Sequence, residues 1–213
     1  MSLTLYFLRH GETTYSRDNA LSGSGLDIEL TPAGLEMAQA FAAAYRSTPW
    51  QAVYVSPMRR AIATARPLCA ALNLEMELRD GLKEMSFGQW EGLAQETVKQ
   101  AHPEEYLRWS IEPGWYPPGD GETAREVARR AMPVIQEIME RFTGGNVLIV
   151  SHKSTIRVVL CSLLGLDVGL YRHRFDCPVA SVSIVEMRAQ GPFLRILADC
   201  HHLPEALRSR ANT

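Results

Sequence analysis

Apolar and polar positions follow two rhythms along this chain, one of short apolar runs and one of helical spacing. Leu3-Thr4-Leu5-Tyr6-Phe7-Leu8 is a short apolar run that breaks into Arg9-His10-Gly11, the pattern of a buried strand. Thr31-Pro32 reads as an N-cap with proline in the first turn. Leu35, Ala38, Phe41, Ala42 and Tyr45 then recur at helical spacing, which predicts a helix covering the sheet. Ala52-Val53-Tyr54-Val55 predicts a second strand, Ser56-Pro57 the cap and first-turn proline of a helix from Met58 to about Leu72, and Glu75 to Leu78 a third strand. Between Ser86 and Glu122, Gly, Pro and Trp break any single period, so this stretch predicts an insertion over the site. Val127, Ala131, Val134, Ile135, Ile138 and Phe142 mark one face of a long helix, with Glu126–Arg130 and Glu137–Arg141 spaced for pairing and Pro133 placed for a kink. Asn146 to Val150 predicts a further strand and Ser154 to Leu164 an apolar helix packed in the core. Ser181–Met187 and Phe193–Ala198 read as an antiparallel hairpin around Ala189-Gln190-Gly191-Pro192, and the last residues, with Arg208, Arg210 and Asn212, as a loose tail.

Strands alternating with helices predict an α/β fold, a three-layer α/β/α sandwich with a mostly parallel sheet, an antiparallel C-terminal hairpin and an inserted lid. With 213 residues, 46% of them hydrophobic, the chain can bury one substantial core, so 1–213 reads as a single domain with 86–122 as its lid. Lys and Arg number 22 against 24 Asp and Glu, a net charge of -2, which gives no footing for nucleic acid or an acidic membrane through bulk charge. Anion recognition must therefore be local. Cys69, Cys161, Cys177 and Cys200 show no metal-ligand spacing and read as reduced thiols. No charged segment precedes a sustained apolar one at the start, and no run approaches bilayer length, which makes a cytoplasmic location the default expectation. The oligomeric state stays open, a homodimer among the possibilities.

In such a sheet the carboxyl ends of parallel strands lie on one edge, where ligand sites form. Arg9-His10, Ser56 through Arg60 and Ser151-His152 all fall just beyond strand ends, so two imidazoles and at least two guanidinium groups should converge there. The two later segments also open onto helix N-termini, whose free amides favour an anion. Arginine offers a forked donor and Gly11 lets backbone come close, which suits phosphate.

Five blocks in order carry a family resemblance. They are Leu8-Arg9-His10-Gly11-Glu12-Thr13; Leu26-Asp27 with Leu30-Thr31; Ser56-Pro57-Met58-Arg59-Arg60-Ala61 with Thr64-Ala65; Glu84 with Phe87-Gly88 and Trp90-Glu91-Gly92; and Gly119, Gly121-Glu122 leading to Val150-Ser151-His152. Through them the chain resembles the histidine phosphatase superfamily, in its phosphoglycerate-mutase-like branch. The resemblance implies a metal-independent phosphomonoesterase without cofactor, acting on a small phosphate ester. His10 would be the nucleophile that forms a phosphohistidine, Arg9, Arg60 and His152 would hold the phosphoryl oxygens, and Glu84 would donate the proton, a role that requires a raised pKa. Ser16 stands where many relatives carry Asn, and Lys153 where they commonly carry Gly; both join the candidate phosphate and substrate contacts. Lys153 either meets a second acidic group on the substrate or points to solvent.

The residues support this chemistry unaided, since a neutral imidazole is a competent nucleophile and phosphoryl transfer depends on positioning and positive charge. Arg59 reads as a solvated or rim charge, Glu12 as a group that orients its loop, Glu91 as a weaker acid candidate, and His201-His202 as surface residues. Trp109, Trp115 and Tyr116 suggest an apolar wall. Competing readings are a cofactor-dependent phosphoglycerate mutase, which needs a longer insertion and a closing tail, and an inactive phospho-ligand or protein-binding relative, which would have lost His10, Glu84 or an arginine. A zinc site at His10 and His152 lacks further ligands at the right spacing and suffers from two arginine charges.

Overall fold

A computed structural model describes residues 2–210. β1 (Leu3–Arg9), β2 (Trp50–Val55), β3 (Met76–Leu78), β4 (Gly145–Ser151), β5 (Val182–Arg188) and β6 (Gly191–Asp199) form one sheet in the order β3-β2-β4-β1-β5-β6. The first four run parallel, and β5 and β6 are antiparallel additions beside β1, as the hairpin reading predicts. The hairpin turn is tighter than expected, because Gly191 begins β6 and leaves Ala189-Gln190 as the connection.

Side-chain alternation sends the strand residues to two separate layers. Leu3, Leu5, Phe7, Tyr54, Val147 and Ile149 pack against α6 (Ala124–Arg141) and α7 (Lys153–Leu163). Leu8, Val53, Val55, Leu148 and Val150 face the opposite way, onto α2 (Pro32–Tyr45) and α3 (Arg59–Leu72). The result is the α/β/α sandwich. The buried face of α2 is shifted from the expected one: Met37, Ala38, Phe41 and Ala42 are buried, while Leu35 is exposed.

Three local expectations give way to tertiary partners. Ser56 does not cap α3, whose cap position is Met58; the Arg59 amide instead donates to Asp27 Oδ1 at 2.7 Å. On α6, Glu126 turns back into a capping box with Thr123, leaving Arg130 to Glu122, while Glu137 takes Arg79 and Arg141 takes Glu77. The helix continues through Pro133. The C-terminal stretch forms α8 (Glu205–Arg208), and Arg210 beyond it reaches Glu12, so the described part is not a loose tail; Asn212 lies outside the described residues.

Residues 86–122 contain two helices that aperiodic sequence concealed, α4 (Gln95–Ala101) and α5 (Pro103–Ile111). Pro103 at the first helical position with Glu104 and Glu105 behind it is the signal that marks α5. Trp90, Trp109 and Tyr106 stack edge-on or tilted within this segment, and with Met85, Phe87, Val127, Val158 and Tyr171 they build a further core beside α6 and α7. His202 is no surface residue either: its ring packs edge-on against Phe41 and Tyr45.

Candidate active site

β1 ends level with its neighbours, since Arg9 pairs with Ser151 and Val55 with Val150. The ladder extends one residue further: the His10 amide donates to Ser151 carbonyl at 3.0 Å and the Ser56 amide to Val150 carbonyl at 2.9 Å. His10, Ser56 and His152 are thereby delivered to one edge of the sheet. Beneath them the loop after β1 lies directly on α2, where a Cβ on Gly34 would meet Glu12 carbonyl oxygen at 2.1 Å. Glu12 orients that loop, as expected, accepting from Thr31 Oγ1 at 2.7 Å and from Arg210 at 2.9 and 3.1 Å. A short helix, α1 (Thr14–Arg17), follows it.

His10 is 3% exposed and places Nδ1 2.8 Å from Gly11 carbonyl oxygen. A carbonyl only accepts, so Nδ1 carries the proton and Nε2 keeps its lone pair. Burial, then the charges of Arg60 and Arg9, hold the imidazole well below its ordinary value, and the ring is neutral at neutral pH. His152 lies with its ring centroid 5.1 Å away. Arg60 Nε donates to His152 Nδ1 at 3.2 Å, which leaves the proton on Nε2, donated to Ser56 Oγ at 2.7 Å. The two rings are therefore opposite tautomers, each fixed by its neighbour.

Arg60 is wholly buried, its remaining donors on the carbonyls of Ser22, Gly23 and Leu26 at 2.9 to 3.3 Å. Burial lowers it to about 10, so it keeps its charge. Arg9 Nη1 donates to Cys177 carbonyl at 2.7 Å. Glu84, 5% exposed, accepts from the amides of Met85 at 2.8 Å and of Ser154 and Thr155 at 3.2 Å. The amides of Ser154 and Thr155 in the first turn of α7 are thus engaged by Glu84, as the Arg59 amide at the start of α3 is by Asp27, so part of each helix end already holds a carboxylate. Arg130 holds the Glu84 segment from behind, donating to the carbonyls of Gly81, Lys83 and Glu84 at 2.8 to 3.0 Å while paired with Glu122.

These groups border a cavity of about 280 Å³ whose wall includes Arg9, His10, Ser16, Glu84 and Lys153. Arg60 and His152 are not among the residues of that wall. Ser16 Oγ is already engaged with Thr13, accepting from its amide at 2.9 Å and donating to its carbonyl at 3.0 Å. Trp109 lines the cavity, but Trp115 and Tyr116 are exposed and take no part in it. Arg59 is exposed and paired with Glu29, outside that wall, and Glu91 ties Phe87 to Gly25 by accepting both amides. Among the described residues no cluster of His, Cys, Asp and Glu is arranged to hold a metal ion.

A family model described as histidine phosphatase superfamily (branch 1) matches residues 5–199. The chain belongs to that superfamily. It is accordingly a phosphatase, a hydrolase of phosphoric monoesters. This histidine phosphatase is 30% identical over 198 residues to phosphoserine phosphatase 1 of Hydrogenobacter thermophilus, covering 92% of the chain and 93% of that protein. It is 38% identical over 192 residues to a bifunctional protein of Mycobacterium tuberculosis, where the match covers 88% of the chain and 51% of that protein. The crystal structure of the alpha-ribazole phosphatase from Shigella flexneri superposes with a TM-score of 0.82 at 28% identity, covering 92% of the chain and 96% of that structure. No helix among the described residues is long and apolar enough to cross a membrane.

Sequence reasoning on this histidine phosphatase passed over Ser56 and Arg130. Ser56 sat within a quoted motif but read as a helix cap, because Ser-Pro is a strong local capping signal. Arg130 read as the partner of Glu126 one helical turn away, and its clamp on residues 81–84 arises from packing that no local period encodes.

Proposed function

We propose that the protein is a metal-independent phosphomonoesterase that works through a phosphohistidine on His10. The observation that carries this reading is the buried, neutral His10 whose Nδ1–H is fixed on Gly11, leaving Nε2 as the free nucleophile beside Arg9. In the first step Nε2 attacks phosphorus and the ester oxygen departs with a proton from Glu84. In the second, Glu84 takes a proton from water, which attacks the phosphohistidine and releases phosphate and neutral His10. Arg9 supplies charge to the equatorial oxygens directly. Arg60 reaches them when the carbonyls on residues 22–26 yield it to phosphate, an exchange favoured because a dianion accepts more strongly than a carbonyl, and His152, with both ring nitrogens engaged, orients Arg60 by accepting from its Nε. Ser16, its hydroxyl committed to Thr13, contributes chiefly by shaping the wall.

The substrate is a small phosphate ester sized to the cavity. The test is release of inorganic phosphate from a panel of monoesters, with and without chelator, in wild type and His10→Ala. Release that withstands chelator and is lost in the variant supports the reading. Interconversion of 2- and 3-phosphoglycerate with a bisphosphate primer, without net release, would move the protein to mutase chemistry, and silence in both assays would leave a binding role.

A further inference from the structure

The hydrolytic steps leave three cations of the same cavity without a part. Lys153 opens α7 and Arg157 follows four residues later, so both rise from one helical face. Arg172, on the short 3-10 helix Val168–His173, lays its guanidinium 3.6 Å from the Trp109 ring centroid. All three line the cavity with Arg9, and Glu84 is the one carboxylate among the lining residues.

Their counter-ions are mostly missing. Arg157 Nη2 meets Asp176 Oδ1 at 3.2 Å, but that carboxylate is 70% exposed and outside the wall. Among the described residues Lys153 and Arg172 form no ion pair. Burial, then the charges of Arg9 and Arg157, push the Lys153 ammonium down to about 8. Like charges held together in a half-buried wall oppose folding, and such local conflicts concentrate where a ligand resolves them. Two donors belong to residues of the same wall: Arg157 Nε and Trp109 Nε1 are buried with no hydrogen-bond acceptor. A buried donor without an acceptor is rare enough to call for a partner.

We propose that Lys153, Arg157 and Arg172 form a second anion subsite, which selects phosphate esters whose alcohol part carries a further acidic group, a carboxylate or a second phosphate. The proposal rests on His10 marking the phosphoryl end. Arg172 is held by its stack on Trp109, so its forked donors are pre-oriented, and Arg157 and Lys153 supply the remaining charge from α7. A phosphate ester with a neutral alcohol fills the cavity but leaves these cations unmatched.

The experiment compares 3-phosphoglycerate with glycerol 3-phosphate, which differ by carboxylate against hydroxymethyl, and glycerol 1,3-bisphosphate with glycerol 3-phosphate. A charge-assisted contact of roughly 1.5–3 kcal/mol predicts a preference in kcat/KM of about tenfold or more for the acidic member. The preference should fall at least about fivefold in Arg172→Gln and Lys153→Gln, mainly through KM, in proteins whose thermal melts match wild type. A carboxylate source shows preference in the first pair, a second phosphate in the second pair. Equal kcat/KM across both pairs, or a preference unchanged in both variants, overturns the subsite while leaving the hydrolase intact. Calorimetric binding of the same esters to His10→Ala reads the preference without turnover. There, preferential binding of the acidic esters upholds the subsite even if hydrolysis is absent, and equal binding refutes it.

Discussion

Ser56→Ala isolates the contact that orients the second histidine. In the wild type His152 Nδ1 accepts from Arg60, which obliges Nε2 to carry the proton, and Ser56 Oγ at 2.7 Å is its acceptor. Both residues are wholly buried, so water cannot replace the hydroxyl without new space. Removing it strands an N–H in the interior, a loss of about 1–3 kcal/mol. Moving the proton to Nδ1 gives no relief, because that nitrogen faces an arginine donor. For a chain of this size the loss corresponds to a fall in Tm of about 2–12 °C. Ser56→Thr keeps the oxygen and should recover most of it. Turnover responds as well, since 1.4 kcal/mol of lost His152 orientation in the transition state is about tenfold in kcat. Differential scanning calorimetry with steady-state kinetics on an aryl phosphate reads both effects. A Ser56→Ala protein within about 0.3 kcal/mol of wild type, with unchanged kcat, would refute the tautomer assignment and with it the role of Ser56 in fixing His152.

Further expectations concern the acid, the loop and the cation cluster. Glu84→Gln removes the proton donor, so kcat should fall most for alkyl phosphates and least for aryl phosphates with good leaving groups; equal slowing across a leaving-group series would count against Glu84 as the acid. Gly34→Ala forces a Cβ to within 2.1 Å of Glu12 carbonyl oxygen, and the loop bearing His10 must shift. A loss of about 1–3 kcal/mol in denaturant unfolding, together with a lower kcat, is expected from such overpacking. Lys153, faced by Arg9, Arg157, Cys177 and Asp176, is charged below about 8 and neutral above it. As pH rises through that value, kcat/KM for 3-phosphoglycerate should drop while that for glycerol 3-phosphate holds. A parallel course for both esters would show that Lys153 does not meet the second anion.

Much of this protein is determined by the sequence itself. The apolar runs at Leu3–Leu8, Val53–Val55 and Val147–Val150 and the helical spacings between them require a sheet covered on both faces, because each element has apolar side chains to hide and only layering hides them all. The chain also determines that Arg9 closes a strand and that His10 and His152 follow strand ends, and parallel strands carry those ends to one edge. Tertiary structure decided what each side chain does on arrival. Local signals offered Ser56 as a cap, the N-termini of α3 and α7 as anion sites, and Glu137 and Arg141 as partners along α6. In each case a group distant in sequence won: His152 took Ser56, Asp27 and Glu84 took the helix amides, and Arg79 and Glu77 took the α6 charges. A capping or i,i+4 contact yields a few tenths of a kcal/mol to about one at an exposed surface, whereas leaving a buried polar group unmatched costs more. Hence the interior dictates the pairings of Ser56 and Glu84, while those of Asp27, Arg79 and Glu77 form nearer the surface. Which histidine nitrogen is free, and which cations lack a counter-ion, are properties of such pairings and have no signature along the chain.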